Sequence, residues 1–148
     1  MAAMSIINKR NGPYISELLV SYVPAFWRKH FHIKNIIMGC EMLAPLAFLR
    51  SSGPKLRGKR INLYIDNNSA AGALIRGDCS NPTLAATVCV FWEIAEAYSI
   101  DIWIGRAPSK LNIADIPTRK GSLPFPSAEQ AQFRNLYKLL LEMLVYKA

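Results

Sequence analysis

Cysteine, histidine and long apolar runs are scarce in this sequence, and each shortage excludes a class of protein. The three cysteines, Cys40, Cys79 and Cys89, are odd in number and widely spaced, so they form neither a disulfide framework nor a zinc site. We expect them to be buried thiols. The first ten residues lack the apolar run of a secretory signal, and no stretch reaches the ~20 apolar residues of a membrane span. The sequence therefore predicts an intracellular protein without a membrane partner, and it does not identify the compartment.

The composition excludes a disordered or repetitive chain and indicates an anionic partner. Hydrophobic residues make up 51% of the 148 residues, which is enough for one domain with an apolar core. The 18 basic residues exceed the 10 acidic ones, and the net charge is +8. Nucleic acid is the expected partner of such a surface. The alternative is a basic surface that serves solubility or docking on a larger assembly.

The first half of the chain predicts a hairpin and a helix. Met4 to Ser21 reads as two strands joined at Asn11-Gly12, a dipeptide that favours a tight hairpin turn. Apolar residues recur at helical spacing from Lys34 to Leu49, with Pro45 inside, so we expect a core-facing helix with a kink there. The polar segment 51–54 is predicted to end this helix.

The second half predicts two strands separated by helices. Ile61 to Ile65 is a nearly all-apolar run, which predicts a strand covered on both faces. Asn67 or Asn68 is expected to cap a short helix that stops at Gly77. The following elements are a helix opening at Asn81-Pro82 with the buried stripe Leu84, Val88, Phe91 and Ala95, a strand over 100–104, and an amphipathic helix from Ser127 that presents Phe133, Leu136, Tyr137, Leu140 and Leu144. This order predicts a mixed α/β protein with a partly antiparallel sheet.

Three acidic residues stand at places where a catalytic site could form. Glu41 lies within the first helix, Asp66 at the carboxyl end of a strand, and Asp115 in a loop after the next strand. Ligands bind at such strand ends in α/β sheets. Taken singly, each acid also has a structural interpretation: a solvated helix residue, a helix cap and a turn former.

Together, three segments resemble the ribonuclease H domain of retroelement reverse transcriptases. The segments are Cys40-Glu41-Met42-Leu43-Ala44, Ile61-Asn62-Leu63-Tyr64-Ile65-Asp66-Asn67-Asn68-Ser69-Ala70 and Pro108-Ser109-Lys110-Leu111-Asn112-Ile113-Ala114-Asp115-Ile116-Pro117-Thr118-Arg119. The version carried by tyrosine-recombinase retrotransposons is the most similar. The resemblance covers about residues 5–119, and it implies a ribonuclease H-like domain over 1–121, followed by a linker and C-terminal helix over 122–148 that pack on the same domain.

The resemblance implies a mixed sheet flanked by helices and a metal-dependent nuclease. In the family, four carboxylates hold two Mg²⁺ ions that cut the RNA strand of an RNA-DNA hybrid, and Mn²⁺ is an alternative ion. Magnesium prefers hard oxygen ligands, and two ions activate a water and stabilise the leaving oxygen. Glu41, Asp66 and Asp115 match three of the four catalytic and metal-binding carboxylates. The implied substrate contacts are Asn67, Ser109, Lys110, Asn112 and Arg119, although Arg119 could equally form a structural ion pair.

The sequence departs from the family at its N-terminus. The family carries its fourth carboxylate on a central strand just before the hairpin, whereas no acid precedes Glu17 here. We expect that central strand and its aspartate to be missing, so that the chain alone cleaves weakly or not at all. A polymerase domain or another segment would then supply the strand. The alternatives are a non-catalytic nucleic-acid-binding or assembly module that keeps the fold, and an unrelated α/β protein with coincident motifs.

Overall fold

The structure, a computed structural model, describes residues 2–9, 12–20, 36–108, 110, 112 and 132–135, with only the backbone described for 2–9, 12–20, 36 and 132–135. The elements are β1 (Ala2–Lys9), β2 (Gly12–Val20), α1 (Ile36–Leu56), β3 (Arg60–Ile65), α2 (Asn68–Arg76), α3 (Pro82–Ala97), β4 (Asp101–Arg106) and β5 (Gln132–Asn135). Helices and a small parallel sheet give the mixed α/β character that the sequence predicts. The chain forms two compact units, Pro24–Leu111 and Met1–Val23 with Asn112–Ala148. The predicted domain boundary at residue 121 lies outside the described residues.

The predicted N-terminal hairpin is confirmed. β1 and β2 are antiparallel, and Lys9 pairs with Gly12 next to the turn. The register shifts after the Ser5–Glu17 pair, because Ile6 pairs with Ile15. The extra residue on β2 is therefore a β-bulge, which locally increases the twist of the pair.

The other edge of β2 pairs with β5, and this pairing corrects the predicted C-terminal helix at residues 132–135. The two strands are parallel, with Leu18 opposite Phe133. β2 offers an edge of unpaired backbone groups, and pairing along such an edge can outweigh the helix preference of a short segment, which is weak without packing. The rest of the predicted helix, including its start at Ser127, lies outside the described residues.

α1 runs seven residues past its predicted end at Leu49. Segment 51–54 continues the helix because Gly53 packs against the end of α3. Ser52 and Gly53 are buried. A Cβ atom on Gly53 would lie 2.5 Å from Cδ2 of Tyr98, the residue that follows α3. The missing side chain lets α1 approach the end of α3 closely, and this contact favours the helix even though Pro54 lacks a backbone donor. The kink at Pro45 stays a prediction.

α2 begins and ends, and α3 begins, at residues that the sequence predicts. Asn67 caps α2 and the left-handed Gly77 (φ 73°) ends it, while Asn81 caps α3 with Pro82 in its first turn. Trp92 on α3 donates its indole N–H to the carbonyl of Leu74 on α2, at 2.9 Å. The core of this unit is built from α1, α2 and α3 and includes Met42, Leu43, Leu46, Ala47, Leu49, Ala70, Ala73, Leu74, Leu84, Val88, Phe91 and Ala95.

β3 and β4 form a parallel pair in which Arg60 is opposite Asp101 and Tyr64 opposite Gly105. The predicted cover on both faces is wrong. Burial alternates along both strands: Ile65 is buried, whereas Tyr64 and Trp103 are 59% and 56% exposed. α2 packs on both strands, and it covers the side that carries the aliphatic residues.

The predicted burial of the cysteines is wrong. The cysteines are not buried: Cys40 and Cys79 are half-buried, and Cys89 is exposed because it shares the solvent side of α3 with Glu93. In the described part of the chain, no helix has the length and apolarity to cross a bilayer.

The close approach of Gly53 to Tyr98 predicts a stability difference between two glycine variants. We expect Gly53→Ala to lower the free energy of unfolding by about 1–3 kcal/mol, because the added methyl group would force the Tyr98 ring or α1 to move. Gly72→Ala is the matched control within α2, where the new Cβ would meet only the flexible end of Arg76, at 3.1 Å. Gly72→Ala should raise the free energy of unfolding by about 0.5–1 kcal/mol. Urea unfolding checks both, and a Gly53→Ala variant as stable as Gly72→Ala would contradict the packing argument.

Candidate metal site

Asp66 lies at the carboxyl end of the parallel strand pair. It follows β3 directly and is half-buried. The backbone N–H of Ala107 donates to the carbonyl of Ile65 at 3.0 Å, so the ladder continues one residue beyond β4. The segment that leaves β4 therefore begins beside the residue preceding Asp66. Strand ends of this kind are the common ligand-binding edge of α/β sheets.

Asn67 has a structural role that the sequence offered as one of two interpretations. Its side-chain oxygen accepts hydrogen bonds from the backbone N–H groups of Ser69 and Ala70, both at 3.0 Å. This is an N-cap, and it fixes the turn between β3 and α2. Only the side-chain NH₂ group, which the cap does not use, is left for the predicted substrate contact.

Glu41 lies on α1, in the same unit as Asp66. It is half-buried and has an interaction partner within the protein. α1 packs on α2 and α3, and α2 begins two residues after Asp66. The convergence of the three predicted carboxylates stays a prediction, because Asp115 lies outside the described residues.

Some of the predicted substrate contacts lie within the described residues, and others lie outside them. Lys110 is exposed in the segment after β4, and Asn112 is half-buried with an interaction partner of its own. Ser109 and Arg119 lie outside the described residues. The structure therefore places Asp66, Asn67 and the start of the segment carrying Lys110 at one end of the strand pair.

The donor types at this end fit a hard cation. Asp66 supplies carboxylate oxygens there, the ligands that Mg²⁺ prefers. Within the described ranges, no group of three or more His, Cys, Asp and Glu side chains is close enough to hold a metal ion.

The basic residues Lys55, Arg57, Lys59 and Arg60, near the start of β3, are exposed, and two of them make surface contacts. Nε of Arg60 donates to Oδ2 of Asp101 at 2.7 Å, and both side chains are mostly exposed. The guanidinium of Arg57 lies 5.0 Å from the ring centre of Tyr98. Exposed ion pairs of this type add little stability.

The sequence interpretation missed one surface, the exposed side of the β3–β4 pair with Tyr64 and Trp103. The signal was present in the order Arg60-Ile61-Asn62-Leu63-Tyr64-Ile65, where polar or amphipathic residues alternate with aliphatic ones. Alternation of this kind indicates a strand with one solvated face.

No protein-family model, curated protein or solved structure matches this chain. The function is therefore argued from the residues and their placement.

The cap at Asn67 predicts a difference between two substitutions. Asn67→Ala should lower the free energy of unfolding by about 1 kcal/mol, because the first turn of α2 loses its acceptor. Asn67→Asp keeps an oxygen at that position and should unfold like the wild type. Thermal or urea unfolding measures both variants, and wild-type stability for Asn67→Ala would show that the cap contributes nothing.

The predicted convergence of the carboxylates is tested by metal binding. Calorimetric titration with Mn²⁺ should show binding to the wild type that is weakened at least about tenfold by Asp66→Asn and by Asp115→Asn, since each removes a charged ligand. Glu93→Gln, an exposed acid on α3, is the matched control and should bind like the wild type. If Asp66→Asn weakens binding and Asp115→Asn does not, the two carboxylates do not share a metal.

Proposed function

We propose that this chain is a ribonuclease H-like domain of retroelement origin, with a metal-dependent nuclease site at the carboxyl ends of β3 and β4. One observation carries the proposal: the hydrogen bond from Ala107 to Ile65. It brings the start of the segment Pro108–Arg119 beside Asp66. Two of the three segments that resemble the family thus meet at this end of the strand pair: one continues from β3 into Asp66, and the other begins at Pro108.

In this proposal, the three carboxylates are the metal ligands. Glu41, Asp66 and Asp115 provide oxygen atoms for Mg²⁺, or for Mn²⁺ in its place. When bound, the metal supplies an activated water and stabilises the leaving oxygen. Ser109, Lys110, Asn112, Arg119 and the side-chain NH₂ of Asn67 contact the substrate.

The proposed substrate is the RNA strand of an RNA-DNA hybrid. The net charge of +8 supports a polyanionic partner. The exposed residues Lys59 and Lys110 lie at opposite ends of the strand pair, where phosphates of a bound hybrid could meet them. Neither feature distinguishes a hybrid from another duplex, so the choice of hybrid rests on the resemblance alone.

The second edge of β3 supports the proposal that a strand is added from elsewhere. The carbonyl of Lys59 accepts from Asp101 at the start of β4, and that of Ile65 accepts from Ala107 just after β4. Alternation along the strand therefore points the backbone groups of Arg60, Asn62 and Tyr64 to the other edge. Among the described strands, β3 pairs only with β4. An extended segment can add to such an edge through main-chain hydrogen bonds. A strand that carries an aspartate would bring the fourth ligand there.

A second candidate function is a non-catalytic module that binds nucleic acid or an assembly. Residues 1–16 contain no acid, so none of them matches the fourth carboxylate of the family. Binding without cleavage would be the expected behaviour of such a module.

Cleavage of a labelled RNA-DNA hybrid in the presence of Mg²⁺ tests the proposal. We expect the chain alone to bind the hybrid, with affinity that falls steeply as salt rises. We expect its cleavage rate to be about a thousandfold below that of a version with an added aspartate-bearing strand, since an incomplete metal site raises the barrier by about 4 kcal/mol. Asp66→Asn should abolish the restored cleavage, and Glu93→Gln should leave it unchanged.

The other outcomes separate the candidates. Binding without cleavage, even with the added strand, favours the non-catalytic module. Rapid cleavage by the chain alone that Asp66→Asn abolishes would contradict the predicted loss of activity and show that another group replaces the missing ligand. Failure to bind the hybrid at low salt would contradict the nuclease proposal and favour a module that docks on an acidic protein.

A further inference from the structure

The exposed side of the β3–β4 pair carries two large aromatic rings. Tyr64 and Trp103 are 59% and 56% exposed, and they lie on adjacent strands with Asn62 opposite Trp103. We call the surface formed by Asn62, Tyr64, Trp103 and Gly105 the aromatic face. Exposed rings on neighbouring strands are unusual for a surface without a partner, since Trp and Tyr contribute large apolar areas.

The two rings are held against the sheet. Their centroids are 5.9 Å apart and their planes make an angle of 71°. A Cβ atom on Gly105 would clash with the Trp103 ring and lie 3.2 Å from Cε1 of Tyr64. Because Gly105 has no side chain, the two rings can occupy the space above it. Rings positioned in this way lose little conformational freedom when a ligand binds.

Positive charge predominates in the segments that contain β3 and β4. Residues 55–66 and 101–110 contain six basic and two acidic residues. Arg60 and Asp101 neutralise each other in the exposed ion pair. Lys59 is exposed at the amino ends of the strands, and Lys110 is exposed beyond the carboxyl ends. Arg106 is also exposed, but it pairs with Ile65 and therefore lies on the aliphatic side of the strand pair.

We propose that the aromatic face binds single-stranded nucleic acid, with bases stacked on Tyr64 and Trp103 and phosphates held by the surrounding cations. Stacking platforms with basic surroundings are the common design of proteins that bind single strands. An apolar peptide or a second copy of this basic chain would leave the cations without counter-charges. A duplex keeps the faces of its bases stacked on each other, so the rings select for single strands. β3, six residues long, spans about 20 Å, which is enough for two or three stacked bases.

Fluorescence anisotropy with a labelled oligothymidylate of about a dozen nucleotides tests this site. The titration is done in EDTA, so its result is independent of the proposed nuclease activity. Tyr64→Ala/Trp103→Ala should weaken binding at least about tenfold, since each stacked base contributes severalfold to affinity. Trp103→Phe keeps an aromatic ring and should lose less. Ile75→Ala is the control, because Ile75 is 62% exposed but lies on α2, and it should bind like the wild type.

An abasic strand of the same length separates stacking from charge. It carries the phosphates without bases, so the wild type should bind it more weakly than oligothymidylate. The wild type and the double alanine variant should bind the abasic strand equally. Both alanine substitutions remove exposed rings, and thermal melting checks that the variants remain folded. If the double variant does not melt cooperatively, the two single alanine variants replace it.

Three results would overturn the proposal. The first is that the double alanine variant binds oligothymidylate as tightly as the wild type does. The second is that the double variant loses as much affinity for the abasic strand as for oligothymidylate, which would mean that the substitutions act through charge or folding. The third is a concentration-dependent dimer of the wild type that disappears in the double variant, since a second copy would then be the occupant of the aromatic face.

Discussion

The parallel pairing of β3 with β4 is the constraint on which the unit Pro24–Leu111 depends. Parallel neighbours need a long crossover connection, and α2 and α3 provide it between Ile65 and Asp101. The two asparagine caps and the left-handed Gly77 set where these helices begin and where α2 ends. α1 then packs on α3, with Gly53 against Tyr98. The same pairing brings the end of β3 and the segment after β4 together, which is the basis of the candidate metal site.

Local signals in the sequence were sufficient to predict the ends of elements that depend on the local properties of a single residue. Asn81-Pro82 and Gly77 predicted helix ends correctly, because a capping oxygen, a fixed φ angle and a left-handed conformation are local properties. The hairpin at Asn11-Gly12 follows the same logic. The position of Asp66 after a strand was also predictable, since a short aliphatic run ends there.

Local signals failed where packing between distant residues decided the outcome. Gly53 and Pro54 look like a helix stop, yet the space that Gly53 leaves is filled by a ring 45 residues along the chain. Segment 132–135 has a helical pattern, yet the edge of β2 pairs with it. The interpretation of 61–65 as an apolar run counted Tyr64 as a core residue, although Tyr also suits a half-solvated position. Asp66 follows β3 and Asn67 caps α2 as predicted, whereas the predicted site itself stays a prediction because Asp115 lies outside the described residues.

The second edge of β3, which no described strand pairs, also bears on aggregation. Unpaired strand edges invite the edges of other copies and can seed intermolecular sheets. Arg60 at this edge is 81% exposed, and Lys59 precedes it. Arg60 is paired with Asp101, so the repulsion between two copies that approach edge to edge comes from Lys59 and from the net charge of +8. This repulsion opposes self-assembly through the edge of β3, and it weakens as salt screens the charges.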